Sequence, residues 1–94
     1  MTRSYRDRDT QRLAAGEKVR QWEPFRLQAE KRLRILDAAV SLSDLALLNS
    51  NRLEGLKGNR KGQYSIRING QWRICFRWPK DEPGPSNVEI VDYH

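Results

Sequence analysis

Cysteine and histidine are almost absent from this chain, which has one of each among its 94 residues. Cys75 alone excludes an internal disulfide, and one Cys with one His cannot complete a zinc site without several carboxylates. No apolar run approaches the ~20 residues that cross a bilayer, and the segment from Met1 to Arg6 lacks the apolar stretch of a signal peptide. We therefore predict a cytoplasmic protein with no membrane association, no metal and no cofactor.

Length and charge narrow the class of protein further. A chain of this size with 37% hydrophobic residues can build one small core, which predicts a single domain over residues 1–94. The net charge of +6 is uneven, because residues 52–80 carry eight Lys/Arg against one Asp/Glu. Such a segment suits a polyanion such as RNA, although a solvated basic surface is the alternative interpretation.

Two helices are predicted in the N-terminal half. Asp7 or Asp9 can cap a short helix over residues 10–15, which Gly16 ends. An amphipathic helix over residues 24–40 follows from an apolar stripe with spacings of three and four. The stripe consists of Phe25, Ala29, Leu33, Leu36 and Val40. This stripe needs a sheet to cover it.

From Arg52 onward the apolar residues recur with a period of two, which is typical of strands. A three-residue hairpin loop ending in a glycine bulge at Gly70 would place Ile66 opposite Trp72 and collect the apolar residues on one face. A two-residue turn would instead put the two apolar rows on opposite faces. The sequence therefore favours the bulged hairpin, followed by a last strand over residues 87–91.

The second face of this predicted sheet gathers arginines. Arg67 and Arg73 share it on adjacent strands, and like charges that close repel unless water or an anion lies between them. Arg77 lies on the same face, and the glycine-rich segment 55–62 adds the cations Lys57, Arg60 and Lys61. We predict a phosphate site here, and an ordinary wet sheet face is the alternative.

The given sequence ends with Asp92, Tyr93 and His94, three adjacent side chains that can all exchange protons. His has an unperturbed pKa near neutrality, Asp can orient it, and Tyr can donate or accept through its phenol. A frayed polar tail is the alternative. Cys75 with His94 as its base is another candidate nucleophile, for which core packing is the simpler interpretation.

Taken together, these residues resemble the HigB-type toxins of the RelE superfamily, from bacterial type II toxin–antitoxin pairs. The most specific segments are Asn51-Arg52-Leu53-Glu54, Leu56-Lys57-Gly58, Tyr64-Ser65-Ile66-Arg67, Trp72-Arg73-Ile74 and Asp92-Tyr93-His94. The resemblance implies an α+β fold in which two N-terminal helices pack on a small antiparallel sheet. It also implies a ribosome-dependent endoribonuclease that cuts messenger RNA.

By this resemblance the catalytic residues would be Lys57, Arg73, Asp92, Tyr93 and His94. Arg67 would assist the phosphate-stabilising cations, and Arg60, Lys61 and Arg77 would bind RNA. Glu54 stands where some relatives have a histidine three residues before the lysine, so either Glu54 accepts the proton or that role is dispensable. Metal-free cleavage needs a base for the 2′-hydroxyl, cations for the phosphorane and an acid for the 5′-oxygen, and each role has a candidate.

The implied partners are a HigA-like helix-turn-helix antitoxin, the 70S ribosome and its mRNA, with operator DNA bound only through the antitoxin. The rival interpretation is a toxin without catalysis that binds ribosomal RNA and interferes with ribosome function or assembly. The segment Asp92-Tyr93-His94 distinguishes the ribonuclease from the non-catalytic toxin, because a protein that only binds RNA does not need proton-transfer groups. A ParE-like gyrase poison is a third possibility, which Lys57, Arg73 and His94 fit less well.

Overall fold

The computed structural model describes residues 1–92, and in that range three α-helices precede a four-stranded antiparallel sheet. The helices are α1 (Arg8–Ala14), α2 (Arg26–Ala38) and α3 (Leu42–Leu47). The strands are β1 (Glu54–Gly55), β2 (Gln63–Arg67), β3 (Trp72–Arg77) and β4 (Ser86–Asp92), which lie in chain order across the sheet. The predicted α+β class is confirmed. No helix in residues 1–92 is long and apolar enough to span a membrane.

The short helix α1 forms where its caps predict it. The Asp7 carboxylate accepts a hydrogen bond from the Thr10 backbone nitrogen at 2.7 Å, which satisfies a free N–H of the first turn. Past the end of α1, Gly16 adopts the left-handed conformation with φ of 91°.

The helix α2 begins later and ends earlier than its apolar stripe predicts. Residues Arg20–Phe25 form a 3-10 helix, in which positions i and i+3 eclipse, so Trp22 and Phe25 are buried together. The last helical residue is Ala38, and the backbone at Ala39 is extended. Val40 therefore leaves the helical phase and is 74% exposed, so its predicted place in the buried stripe is wrong.

The β2–β3 hairpin keeps its predicted faces but not its predicted register. Ile66 lies opposite Ile74 rather than Trp72, so the pairing differs from the prediction by two residues. Gly70 does not adopt a left-handed bulge; instead the Asn69 carboxamide oxygen accepts from the backbone nitrogens two and three residues on, at 2.9 and 2.8 Å. Because side chains alternate with a period of two, a shift of two leaves each on its face.

The two faces of the sheet differ in what covers them. The covered face packs on the helices and includes Tyr64, Ile66, Ile74, Phe76 and Ile90. The arginine face, on the opposite side, includes Ser65, Arg67, Arg73, Cys75 and Glu89. Ser65 and Cys75 are nevertheless fully buried. The candidate site therefore forms on a partly covered polar face.

The outer edge of β4 is covered by the N-terminal segment. Tyr5 forms a single parallel bridge with Val88. The backbone carbonyl of Ser4 accepts from the Val88 nitrogen at 3.1 Å, and the Arg6 nitrogen donates to the Val88 carbonyl at 2.9 Å. This segment continues the hydrogen bonding of the sheet past its last strand.

Candidate active site

The arginine pair is fixed by the register of the two central strands. Arg67 lies directly opposite Arg73, and Arg73 in turn lies opposite Val91 of β4. Directly opposed residues of antiparallel strands have Cα atoms about 4.5–5.5 Å apart, so the two guanidinium groups start from neighbouring positions. The structure thus brings together two of the cations predicted to bind phosphate.

Arg73 is the more constrained member of the pair. Its Nε donates to the Ser65 hydroxyl at 2.7 Å, and its Nη2 donates to the Arg52 carbonyl at 2.6 Å and to the Ser65 carbonyl at 3.4 Å. Ser65 is completely buried, so water does not compete for its hydrogen bond to Arg73. A cation held this way needs little reorganisation when negative charge develops beside it.

Arg52 supplies that anchor through an unusual backbone conformation. Its φ and ψ are 48° and 51°, in the left-handed region that side-chain-bearing residues seldom occupy. Such strain persists when surrounding contacts fix it, and the short bond from Arg73 is one such contact. Neither the left-handed backbone nor its bond to Arg73 is visible in the sequence, so Arg52 was missed as a site residue.

A row of four side chains crosses the sheet beside the arginine pair, exposed at Glu54 and buried at the other three positions. Glu54, Ser65, Cys75 and Glu89 lie directly opposite one another on the four strands. Burial raises the pKa of the Cys75 thiol, and the positive charge of Arg60 offsets part of that rise. The thiol is therefore protonated at neutral pH, which supports core packing over a thiolate nucleophile.

Arg60 is already engaged within the fold. Its Nη1 donates to the Gln63 carboxamide at 3.0 Å and to the Glu89 carboxylate at 3.2 Å. Arg6 contacts the same Glu89 oxygen at 3.2 Å, so one nearly buried carboxylate holds two arginines. RNA binding by Arg60 stays a prediction, and this guanidinium has fewer donors left for phosphate.

Lys57 lies at the other end of the face from the arginine pair. It is exposed just before the 3-10 helix Gly58–Arg60, and the preceding residue still bonds to Gln63 at the start of β2. Gln63 and Arg67 are four residues apart, which is about 13 Å at the strand rise of about 3.3 Å per residue. Lys61 and Arg77 are also exposed at the Lys57 end. The predicted cations are therefore spread along the face.

Asp92 lies on the covered face by strand alternation. It is opposite Trp72, and its carboxylate accepts from the Gln71 carboxamide at 3.1 Å. Arg73 and Asp92 therefore project to opposite sides of the sheet, and Asp92 fastens the end of β4 to the hairpin loop. Tyr93 and His94, predicted as proton-transfer residues, lie outside the described residues.

The carboxylates and the thiol form no metal site in the part of the chain that the structure describes. Within residues 1–92, no three or more His, Cys, Asp or Glu side chains are grouped so that they could hold a metal ion. The local chemistry is supplied by guanidinium, hydroxyl and carboxylate groups on the arginine face.

Comparison with known proteins gives these residues a family. The profile described as "RelE-like toxin of type II toxin-antitoxin system HigB" matches residues 1–94. A protein named Toxin HigB-1 from Vibrio cholerae is 52% identical over 48 residues, which are 51% of this chain and 50% of that protein. Endoribonuclease HigB from Proteus vulgaris is 35% identical over 63 residues, 67% of this chain and 65% of that protein.

The matched segments thus span half to two-thirds of the length of these curated relatives. A solved structure titled YoeB/ParE toxin from Agrobacterium tumefaciens aligns with a TM-score of 0.37 and 18% identity, over 82% of this chain and 93% of that one. The resemblance drawn from the sequence motifs is confirmed by the family profile. The chain belongs to the HigB-like family of RelE-type toxins.

Proposed function

We propose that this chain, as one domain over residues 1–94, is a ribosome-dependent endoribonuclease that cleaves mRNA without a metal ion. The observation that carries the proposal is the Arg73 guanidinium, which Ser65 and the Arg52 carbonyl hold in place at the strand position paired with Arg67. A fixed cation beside a second cation suits the charge that develops on a phosphorane. The name of the Proteus vulgaris relative, an endoribonuclease, supports the same chemistry.

In the proposed reaction the RNA 2′-oxygen attacks the adjacent phosphorus atom. A base removes the 2′-hydroxyl proton, the P–O bond to the 5′-oxygen breaks, and an acid protonates that oxygen. The products are a 2′,3′-cyclic phosphate and a 5′-hydroxyl end. We assign the proton transfers to Tyr93 and His94. Arg73, assisted by Arg67, would stabilise the negative charge of the phosphorane. Asp92 would hold the end of the last strand in place. Lys57 would contact the RNA farther along the face.

The proposed partners follow from family membership. A type II toxin has a protein antitoxin, here proposed to be HigA-like with a helix-turn-helix, through which the pair would contact operator DNA. The excess of Lys and Arg favours an acidic contact surface on that antitoxin. We propose that toxin, antitoxin and 70S ribosome meet in the cytoplasm.

A toxin that binds ribosomal RNA without cutting is the second candidate. The spread of cations from Lys57 to Arg67 favours it, because a long basic face can dock on RNA without gathering around one phosphate. The two candidates make the same prediction for ribosome association. They differ only in whether proton-transfer groups are needed.

The decisive experiment compares the intact chain with a variant lacking Tyr93 and His94. Primer extension on message bound to 70S ribosomes, and on the same RNA alone, measures cleavage. We expect rapid cleavage only on ribosomes, and a loss of about 10²–10⁴ in rate for the variant, the usual cost of a general acid or base. His94→Gln is the gentler version, since it keeps a hydrogen-bonding group but removes titration near neutrality.

Ribosome association and its salt dependence should be the same for both chains, since all Lys and Arg residues remain. Equal cleavage of free and ribosome-bound RNA would contradict ribosome dependence. A folded deletion variant that still arrests growth at full strength would assign toxicity to binding and favour the second candidate.

A further inference from the structure

A cleft of about 410 Å³ lies between α2, the 3-10 helix Asn49–Asn51 and the β2–β3 hairpin. Three arginines from these separate segments line it, namely Arg32, Arg52 and Arg67. Among the described residues that line the cleft there is no Asp or Glu. No carboxylate within residues 1–92 forms an ion pair with any of the three. The cleft thus concentrates positive charge without a counter-charge from residues 1–92.

The direction of Arg32 is set by a buried amide. Its Nη1 donates to the Asn51 carboxamide oxygen at 2.7 Å and to the Ser50 hydroxyl at 3.3 Å. Asn51 is fully buried, and its own Nδ2 donates to the Leu45 carbonyl at 3.0 Å. The arginine is therefore held in place before a ligand arrives, which lowers the ordering cost of binding.

Ser50 and Asn69, two other polar residues of the cleft, can still donate hydrogen bonds to a ligand. The Ser50 oxygen accepts from Arg32, so its hydroxyl hydrogen can point elsewhere. The Asn69 oxygen is taken by two backbone N–H groups, which leaves the Nδ2 donor of that side chain for a ligand. Guanidinium forks surrounded by donors match the oxygens of a phosphate.

The cleft adjoins the candidate active site. Arg67 lines the cleft and lies opposite Arg73, and Arg73 also donates to the carbonyl of Arg52. An RNA strand carries a phosphate at every nucleotide, so a strand with one phosphate beside Arg73 brings another one close by. We propose that the three-arginine cleft holds this second backbone phosphate of the RNA strand. The identity of the ligand rests on the proposed function, and the volume suits a phosphate with its ribose.

The test is a double-mutant cycle in which an arginine of the protein is substituted on one side and one RNA phosphate is neutralised on the other. The probes are short single-stranded 2′-O-methyl RNAs, which cannot be cleaved through the 2′-oxygen, each with one phosphate replaced by a neutral methylphosphonate. Fluorescence anisotropy measures their affinity for the intact protein, for Arg52→Gln and for the control Arg34→Gln. Arg34 is exposed on α2 and lines the separate groove between α1 and α2, so the control removes the same charge elsewhere.

For Arg52→Gln we expect about tenfold weaker binding of the unmodified RNA, and a salt slope smaller by about 0.7, the value for one phosphate that is no longer neutralised by a cation. One neutral linkage should weaken binding to the intact protein but have little further effect on Arg52→Gln, which is the sign of direct coupling. Arg34→Gln should show no such coupling at any position. If Arg52→Gln does not fold, as its melting temperature will show, Arg32→Gln takes its place in the cycle.

The proposal is overturned if the effects of Arg52→Gln and every neutral linkage simply add, or if Arg34→Gln couples equally. It is also overturned if Arg52→Gln weakens only the capture of the antitoxin, because the cleft would then be a protein contact. Coupling with no ribosomal cleavage by the intact chain would keep the cleft and reject the proposed catalysis. Normal cleavage by Arg52→Gln without coupling would keep the catalysis and reject the cleft.

Discussion

The covered face and the arginine face are made from the same strands but are held by different forces. On the covered face, Ile66, Ile74 and Phe76 have no exposed surface, and their contribution comes from non-directional burial of apolar area. On the arginine face, Arg73 and Ser65 are joined by hydrogen bonds of fixed geometry. The first kind of contact tolerates substitution by a side chain of similar volume, whereas the second depends on particular atoms. The comparison predicts that substitutions on the two faces have different consequences.

Phe76→Ala should have the largest effect, and only on stability. Its ring is fully buried and stacks on Tyr64 with 6.2 Å between centroids, so truncation leaves a cavity. We expect the free energy of unfolding, measured by urea denaturation, to fall by about 3–5 kcal/mol. Arg77→Ala, the exposed neighbour on the same strand, is the control and should change it by less than about 0.5 kcal/mol. If the free energy of unfolding fell by similar amounts in both variants, the proposed difference between the two faces would be wrong.

Arg73→Ala should reduce both cleavage and stability. Loss of one cation at the phosphorane should lower the rate about 10²–10³-fold, equivalent to about 2.7–4 kcal/mol. The buried Ser65 hydroxyl also loses its partner, which should cost about 1–3 kcal/mol of unfolding free energy. Ribosomal primer extension and urea denaturation measure the two effects.

Ser65→Ala is the matched variant for Arg73, because it removes the same hydrogen bond and keeps the cation. We expect a smaller loss of cleavage than in Arg73→Ala. Equal inactivation by the two variants would mean that the position of Arg73, rather than its charge alone, determines the rate. Full cleavage and normal melting of Arg73→Ala would show that this arginine is only surface.

Glu89→Gln should have an intermediate effect on stability through its two arginines. Gln keeps the shape but weakens the contacts to Arg6 and Arg60, and we expect a loss of about 1–2 kcal/mol, between surface and buried ion pairs. The loss should shrink at high salt, because both arginines reach solvent. Urea denaturation at two salt concentrations tests this, and unchanged stability at low salt would show that the carboxylate contributes no net energy.

Cys75→Ala should have the smallest effect. Its thiol is buried, so we expect a loss of about 1 kcal/mol and full cleavage. Because burial raises the pKa of the thiol, alkylation of the folded protein at neutral pH should be slow. A stable Cys75→Ala protein that no longer cleaves RNA would instead support Cys75 as the nucleophile.

The sequence predicted the faces of the sheet better than its pairing. Alternation with a period of two assigns each side chain to a face, and this placed Arg67 and Arg73 together. A register shift of two residues keeps that alternation, so the pattern could not choose between Ile74 and Trp72 as the partner of Ile66. The choice depends on how the Asn69 side chain closes the loop, which is a contact between individual atoms.

The candidate site was predicted where it follows strand alternation and missed where it depends on contacts between distant segments. Arg32 and Arg52 come from a helix and a loop that sequence patterns treat as solvent-exposed. Their role depends on Asn51, whose burial fixes Arg32, and on the left-handed backbone of Arg52. The separation of Lys57 from Arg73 could not be predicted either, because it depends on where β1 pairs with β2.

The N-terminal segment that runs beside β4 has a consequence for how this molecule meets other proteins. An uncovered edge strand offers a row of backbone donors and acceptors to any passing chain, and is a common route to aggregation. Here Ser4, Tyr5 and Arg6 occupy part of that row, and the opposite edge strand, β1, has only two residues. In the part of the chain that the structure describes, neither edge therefore offers a long template for strand addition. The proposed recognition by an antitoxin or a ribosome would therefore depend on side chains rather than on backbone pairing.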